Sequence, residues 1–358
     1  MRTHLTIALL LVVSASLFGC AAPGTQRVSV SDSAVKIEER KQMEIVAEEI
    51  MAEQVRLADV SWLLQTKGRA ICRDDVRPIL GISTMSKPND AMGEIYAEKF
   101  GIKDGITVFH VITGSPSDSA GIKRGDILAK INDRNVEKGK PIEELFGAWE
   151  QGRSVRMTLE RQGKPVTATL TPLVACKYAV GLSPEQIINA FADGNRVMIA
   201  RGMMSFAKTD NELALVVSHE IAHNSMKHID AKKQNMWLGL LADIAFVLAT
   251  KGQAQSPGFA GAGASAYSQE FEAEADYVGL YLMANAGLPI TDAPKFWRRM
   301  AAAHPQNIKT NHSASHPSTS YRMVALEETV NEIQGKISCG EPLIPNMKEG
   351  KLFIPASK

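Results

Sequence analysis

The six residues Ser218-His219-Glu220-Ile221-Ala222-His223 constrain this chain more than any other stretch. On an α-helix, residues four apart stack on one face, so His219 and His223 can turn two imidazoles toward one cation. Glu220 stands beside them, near enough to polarise a water on that cation. Two neutral nitrogen ligands with a neighbouring carboxylate base are what metal-assisted hydrolysis requires. The flanks agree with a helix. Thr209 and Glu212 have capping-box spacing, which predicts a helix start just upstream. Leu213, Leu215, Val216, Val217, Ile221 and Ala222 then predict a helix set in a domain interior. Two histidines and a glutamate buried there need partners, and one metal ion satisfies them together.

A catalytic zinc takes three protein ligands and leaves the fourth position to water. No third histidine follows at short spacing. The stretch Ser268-Gln269-Glu270-Phe271-Glu272-Ala273-Glu274-Ala275-Asp276 predicts a second helix, running to Gly287 and stopped by Pro289. Glu272 and Asp276 lie one turn apart on the same face. One carboxylate can ligate while the next orients a ligand histidine. Spacing alone does not choose among Glu270, Glu272 and Glu274.

With 358 residues the chain has room for two domains or three small ones. Its 40 basic and 39 acidic residues give a net charge of +1, which offers no basis for nucleic-acid binding. The first twenty residues read as a signal peptide: Arg2 and His4, an apolar run from Ile7 to Val13, then Leu17-Phe18-Gly19-Cys20. That ending resembles the lipobox of bacterial lipoproteins. The resemblance implies a lipid on Cys20 and a membrane partner at the cell envelope. Ala21 after the cysteine, rather than Asp, resembles the pattern of lipoproteins sent on to the outer membrane, which implies its periplasmic face. Residues 21–75 then form a tether and an amphipathic helix, from about Ser33 to Leu64, that packs on the rest of the chain.

Residues 76–175 change to strand and turn. Leu80-Gly81-Ile82, the stretch GSPSDSAGIKRGDILAKIND, and alternating runs at Val155–Leu159 and Val166–Leu170 resemble a PDZ domain of the bacterial envelope-protease type. Such a domain takes an extended peptide as an added strand beside the Leu-Gly-Ile loop. Cys72 and Cys176 bracket this region where the chain enters and leaves it, which predicts a disulfide between them and leaves Cys339 unpaired.

Residues 176–335 carry the site, and 336–358 form a C-terminal tail. A hairpin is expected at Asp193-Gly194-Asn195, leading into the HExxH helix. Trp237 to Ala249 is apolar except for Asp243; a buried or lid helix is favoured there over a membrane-dipping one. Residues 252–266, rich in Gly, Ala and Ser, read as a mobile loop.

HEIAH, then Glu-x-Glu-Ala-Asp, then His-Pro-x-x-x-x-Arg, together with NAFADG and ARGMMSFA, resembles the gluzincin family of CAAX prenyl proteases and HtpX-like peptidases over residues 178–325. The resemblance implies an α+β chain: a mostly helical zincin domain with a small edge sheet, plus the β-rich PDZ domain. It implies one zinc per chain on His219, His223 and Glu272, with Glu220 as base and Asp276 behind a ligand. His316 and Arg322 would stand near the oxyanion. His316 has two possible roles, oxyanion donor or a fourth zinc ligand that keeps the enzyme latent, and the donor role is favoured. The substrate is expected along an edge strand, Arg196–Ala200. The multispanning helices of the prenyl proteases are absent, so prenylated substrates are not expected. The implied activity is endopeptidase action on unfolded or misassembled envelope proteins, with the PDZ groove holding peptide. The alternative is a zinc-bearing assembly factor with latent peptidase activity.

Overall fold

The computed structural model describes residues 24–139, 152–251, 254–265, 268–303, 305, 316 and 319–348. Residues 1–23, where a signal peptide ending at Cys20 is expected, and the end of the tail (349–358) lie outside the described residues. The chain divides into two units, residues 1–45 and 46–358. In the first, residues 24–31 have no regular structure, and the opening turns of helix α1 (Asp32–Lys67) are solvent-exposed.

In the second unit α1 turns one face inward. Ala47, Met51, Leu57, Val60 and Leu64 recur at helical spacing and are buried. A short 3₁₀ turn, Arg69–Cys72, follows. The chain then enters a β-rich region: β1 (Val76–Ile79), β2 (Ile82–Met85), α2 (Ala91–Phe100), β3 (Ile106–Val111), α3 (Pro116–Ser119), β4 (Ile127–Ile131), β5 (Arg134–Asn135), β6 (Val155–Arg161), β7 (Lys164–Leu170) and β8 (Leu173–Cys176). One sheet runs in the order β2-β3-β4-β6-β7, with β5 paired to β4. In β6 the alternation is plain: Val155, Met157 and Leu159 are buried while Arg156 and Glu160 face out. Their inward side chains meet Leu80, Val108, Ile122, Leu128 and Ile131 in a core of their own. β1 pairs antiparallel with β8, Val76 opposite Cys176, so entry and exit of the region are zipped together. Cys72 and Cys176 are joined by a disulfide at that neck, their Cα atoms 5.6 Å apart, and Cys339 is an exposed free thiol.

The remaining elements are β9 (Ala179–Ser183), β10 (Ala190–Ala192), β11 (Arg196–Ala200), α4 (Arg201–Phe206), α5 (Asp210–Ser225), α6 (His228–Ala249), α7 (Phe259–Ser265), α8 (Ser268–Asn285), α9 (Ala293–Ala303) and α10 (Ser320–Cys339). Their core joins Leu64, Ile71 and Cys176 to Val217, Tyr281 and Phe296. The β-rich region is therefore an insertion, and α1 belongs to the helical body on the other side of it.

Three expectations need correction. β11 is the central strand of the order β10-β11-β9, parallel to β9 and antiparallel to β10, so Arg196–Ala200 offers no free edge. Its hidden partner, β9, comes from upstream of the hairpin, and such non-local pairing leaves no periodic trace in sequence. The Trp237–Ala249 run is helical but not buried: one side packs against the following helix, while Trp237, Leu241 and Leu248 on the other are exposed. Within 252–266, residues Phe259–Ser265 form α7, packed along α6.

Candidate metal centre

α5 starts as the capping spacing predicts. Thr209 Oγ1 accepts the Glu212 N–H at 3.2 Å. The return bond shifts by one residue, since Glu212 Oε2 accepts the Lys208 N–H at 2.8 Å. Arg299 clamps both Glu212 oxygens at 2.7 Å. From Leu213 to Ser225 every residue of α5 is buried, so a helix with polar groups runs through an apolar interior.

α8 lies against α5, and Gly279 sets how close. A β-carbon at Gly279 would stand 3.2 Å from the His219 backbone nitrogen, tighter than ordinary contact. That approach brings Glu272 and Asp276 to the histidines. His219 Nε2 and His223 Nε2 are 3.1 Å apart. Glu272 places Oε2 3.3 Å from the first and Oε1 3.3 Å from the second. His316 reaches in from outside α5 and α8, with Nδ1 2.9 Å from Glu272 Oε2 and 3.4 Å from His219 Nε2. One ligating atom from each of His219, His223, Glu272 and His316 lies within 4.8 Å of all the others. Ligands about 2.0–2.1 Å from a tetrahedral cation stand about 3.3–3.4 Å apart, so the set fits a metal ion. A further observation agrees: Glu272 Oε1 and Glu220 Oε2 are buried with no hydrogen-bond partner among the described residues.

The electrostatics point the same way. Burial pushes His223 down to about 3. Burial opposes charging of His219 too, but its hydrogen bonds to Asp276 and Glu272 win and hold it at about 9. Glu272 stays far below the usual carboxylate range: burial works against ionisation, and His316 and His223 outweigh it. The pocket thus keeps an anionic carboxylate and neutralises one of two touching imidazoles, an arrangement that one shared cation completes.

Behind the ligands lies a second layer. Asp276 Oδ1 is 3.0 Å from His219 Nδ1. Arg322, expected beside the oxyanion, instead engages Asp276 with Nε and NH2 at 2.7 and 2.8 Å and Glu272 Oε2 with NH1 at 3.2 Å. Its guanidinium is 1% exposed, and these carboxylates hold its proton more tightly than usual despite burial. Glu220 Oε1 is 3.6 Å from His316 Nε2. Glu270 is exposed, and Glu274 turns to another partner, so Glu272 alone of the three enters the cluster.

That partner is His228, which the sequence reading assigned no role. It is buried, with Nδ1 2.9 Å from His223 Nδ1 and Nε2 2.8 Å from Glu274 Oε2. Its ring stacks on Phe271 at 4.7 Å. α5 ends at Ser225 and Lys227 turns the chain at φ 60°, so a five-residue spacing from His223 carries no helical meaning. Asn224 fixes the sheet to the site: its Oδ1 accepts the Gly194 N–H at 2.7 Å and its Nδ2 donates to Arg196 O at 3.1 Å.

At the β-rich end, Leu80-Gly81-Ile82 opens on a cavity of about 160 Å³ walled by Trp62 and Gln65 of α1, Arg77, and Val180 of β9. Gly81 has φ 82°, and a β-carbon there would strike Ser115.

A helix carrying two histidines and a glutamate, closed by a carboxylate from a second helix, defines a metallopeptidase site. The sequence profile of peptidase family M48 matches residues 152–330, half of the chain, and the profile of a PDZ domain matches 78–171. The chain belongs to peptidase family M48. It is 31% identical over 185 residues to mitochondrial metalloendopeptidase OMA1 of Schizosaccharomyces pombe, covering 48% of this chain and 54% of that one. It is 29% identical over 128 residues to the beta-barrel assembly-enhancing protease of Yersinia pestis, covering 32% of this chain and 26% of that one. The chain thus spans about a quarter to a half of these relatives. Among solved structures, the HtrA3 PDZ domain bound to a phage-derived ligand is 24% identical over 28% of this chain and 88% of its own, with a TM-score of 0.23.

Proposed function

We propose that this chain is a zinc metalloendopeptidase of the bacterial cell envelope, tethered through a lipid on Cys20, that cuts unfolded or misassembled envelope proteins. The observation that carries the reading is Glu220 Oε2, a buried carboxylate oxygen without a hydrogen-bond partner among the described residues, beside the imidazoles of His219 and His223. His219, His223 and Glu272 would hold the zinc, and nitrogen and carboxylate donors of this kind suit it. When bound, zinc supplies Lewis-acid polarisation of a scissile carbonyl and acidifies water at neutral pH. Glu220 takes the proton of the attacking water and returns it to the leaving amine. Asp276 fixes His219 by its Nδ1. Arg322 acts through Asp276 and Glu272 as a positioning residue.

An extended substrate finds a free edge at β10, where Phe191 is exposed and the hairpin is clamped to α5 through Asn224. The PDZ domain would present peptide beside Leu80-Gly81-Ile82. A relative named for enhancing β-barrel assembly supports β-barrel precursors as the substrate class. His316 lies among the ligating atoms, which favours the latent role over the donor role in the resting enzyme.

The test is cleavage of an unfolded outer-membrane β-barrel protein by wild type and Glu220→Gln. Turnover should fall about 10²–10⁴-fold with metal content unchanged. Chelation should abolish turnover and added zinc restore it. Undiminished cleavage by Glu220→Gln would overturn the mechanism. Should Glu220→Gln stop cleavage and yet support β-barrel assembly in cells fully, the alternative of an assembly factor with latent peptidase activity would hold.

A further inference from the structure

α6 carries an apolar surface that the peptidase chemistry does not use. Trp237, Leu238, Leu241, Ile244, Val247 and Leu248 are all exposed, Leu248 at 72%. At 100° per residue these six cover about half of the helix circumference. A helix docked in a protein groove presents a narrower stripe, so so wide an arc suits an apolar medium rather than one partner face.

The other half of α6 is committed to α7. A β-carbon on Gly239 would lie 2.1 Å from Phe259 O, and one on Gly263 would lie 2.2 Å from Asn235 O. The two backbones therefore touch through glycine. Asp243 is turned into this hairpin: Oδ1 accepts the Phe259 N–H and Oδ2 the Ala260 N–H, both at 2.8 Å. It is the sole acidic residue between Ala231 and Gln269, so the apolar run itself turns no negative charge outward; Asp230, exposed in the first turn of α6, lies about 10 Å before Trp237. Lys232 and Lys233 precede the apolar run and Lys251 follows it.

We propose that α6 lies flat in the headgroup region of an anionic phospholipid bilayer, its outer arc in the acyl boundary and its flanking lysines on the phosphates. Trp237 to Leu248 is about 18 Å of helix, short of the roughly 30 Å hydrocarbon core, so it lies along the bilayer rather than across it. No helix among the described residues is long and apolar enough to cross a membrane. α6 begins at His228, against the ligand His223, so this contact sets the metal centre at a fixed height above the lipid. The proposal does not depend on the peptidase reading.

The experiment uses the full chain with vesicles of phosphatidylethanolamine and phosphatidylglycerol (3:1) carrying brominated acyl chains, which quench tryptophan only at acyl depth. Part of the tryptophan emission should be quenched. That quenched component should be missing in Trp237→Phe and in Leu241→Lys/Leu248→Lys, whatever the N-terminal segment contributes to vesicle binding. Should the double variant misfold by circular dichroism, Trp237→Phe still decides. Absence of any Trp237-dependent quenching overturns the proposal. So does concentration-dependent self-association without such quenching, which would assign the face to a second copy of the chain.

Discussion

Arg322 grips Asp276 with two nitrogens, Nε on Oδ2 and NH2 on Oδ1, and the same Oδ1 holds His219 Nδ1 at 3.0 Å. A charge on α10 therefore orients the His219 imidazole on α5 through a carboxylate on α8. Asp276→Asn should weaken metal affinity about 10–100-fold, because the partner that orients the His219 ring is lost. It also takes one of two carboxylate charges from a guanidinium that is 1% exposed and leaves Glu272 Oε2 facing it, a destabilisation of up to about 3 kcal/mol. Metal titration and denaturant unfolding of the purified variant measure the two effects. Unchanged affinity would remove Asp276 from the site.

His316→Ala carries a sign. If His316 holds the fourth position in the resting enzyme, its removal should raise basal cleavage of an unfolded substrate while one metal per chain stays bound. Slower cleavage would restore the oxyanion-donor role, an effect of about 3–4 kcal/mol when one such donor is removed. Initial rates and metal content on the same preparation separate these results.

Asp75 predicts an acid limb. Burial works against its ionisation, but hydrogen bonds from Lys177, Lys227 and Tyr178 outweigh that and lower it from 3.8 to about 2. Its folded value lies below its unfolded value, so its stabilisation is present above about pH 4 and lost as the pH falls toward 2. The side chain is 20% exposed, and the shift is worth about 2 kcal/mol at most. Asp75→Asn should cost about that at pH 7 and flatten the stability profile between pH 4 and 2. Denaturation midpoints across that window report it.

Cys72 and Cys176 are 104 residues apart in the chain. Closing a loop of that length restricts the unfolded chain by about 4–5 kcal/mol in the entropic model. Cys72→Ser/Cys176→Ser should lower stability by up to that amount while Cys339 remains reactive to a thiol reagent in the parent. An equal unfolding midpoint with and without the bridge would contradict it.

The sequence showed what obeys a period or a short spacing. His219 and His223 are four apart, Thr209 and Glu212 mark a cap, and Cys72 and Cys176 bracket an insertion; each could be read locally. Glu272 could not be told from Glu270 and Glu274 by spacing. What separates them is which face of α8 meets α5, and Gly279's close approach lies on that face. His228 sits past a left-handed turn, so no helical rule reached it. The apolar run at Trp237–Ala249 suggested burial because hydrophobicity reports what a residue prefers, not whether a neighbour exists to cover it. β11 looked like an edge because its parallel partner β9 lies upstream of the hairpin.

The neck at Cys72 and Cys176 also bears on how the chain survives damage. A break in the backbone anywhere between them leaves two fragments still held by one covalent bond, with α1 seated in the helical body on one side and the HExxH helix on the other. A molecule nicked in its PDZ region would run as one band on a non-reducing gel and as two after reduction. The insertion can thus be cut without the half that carries the HExxH helix coming adrift.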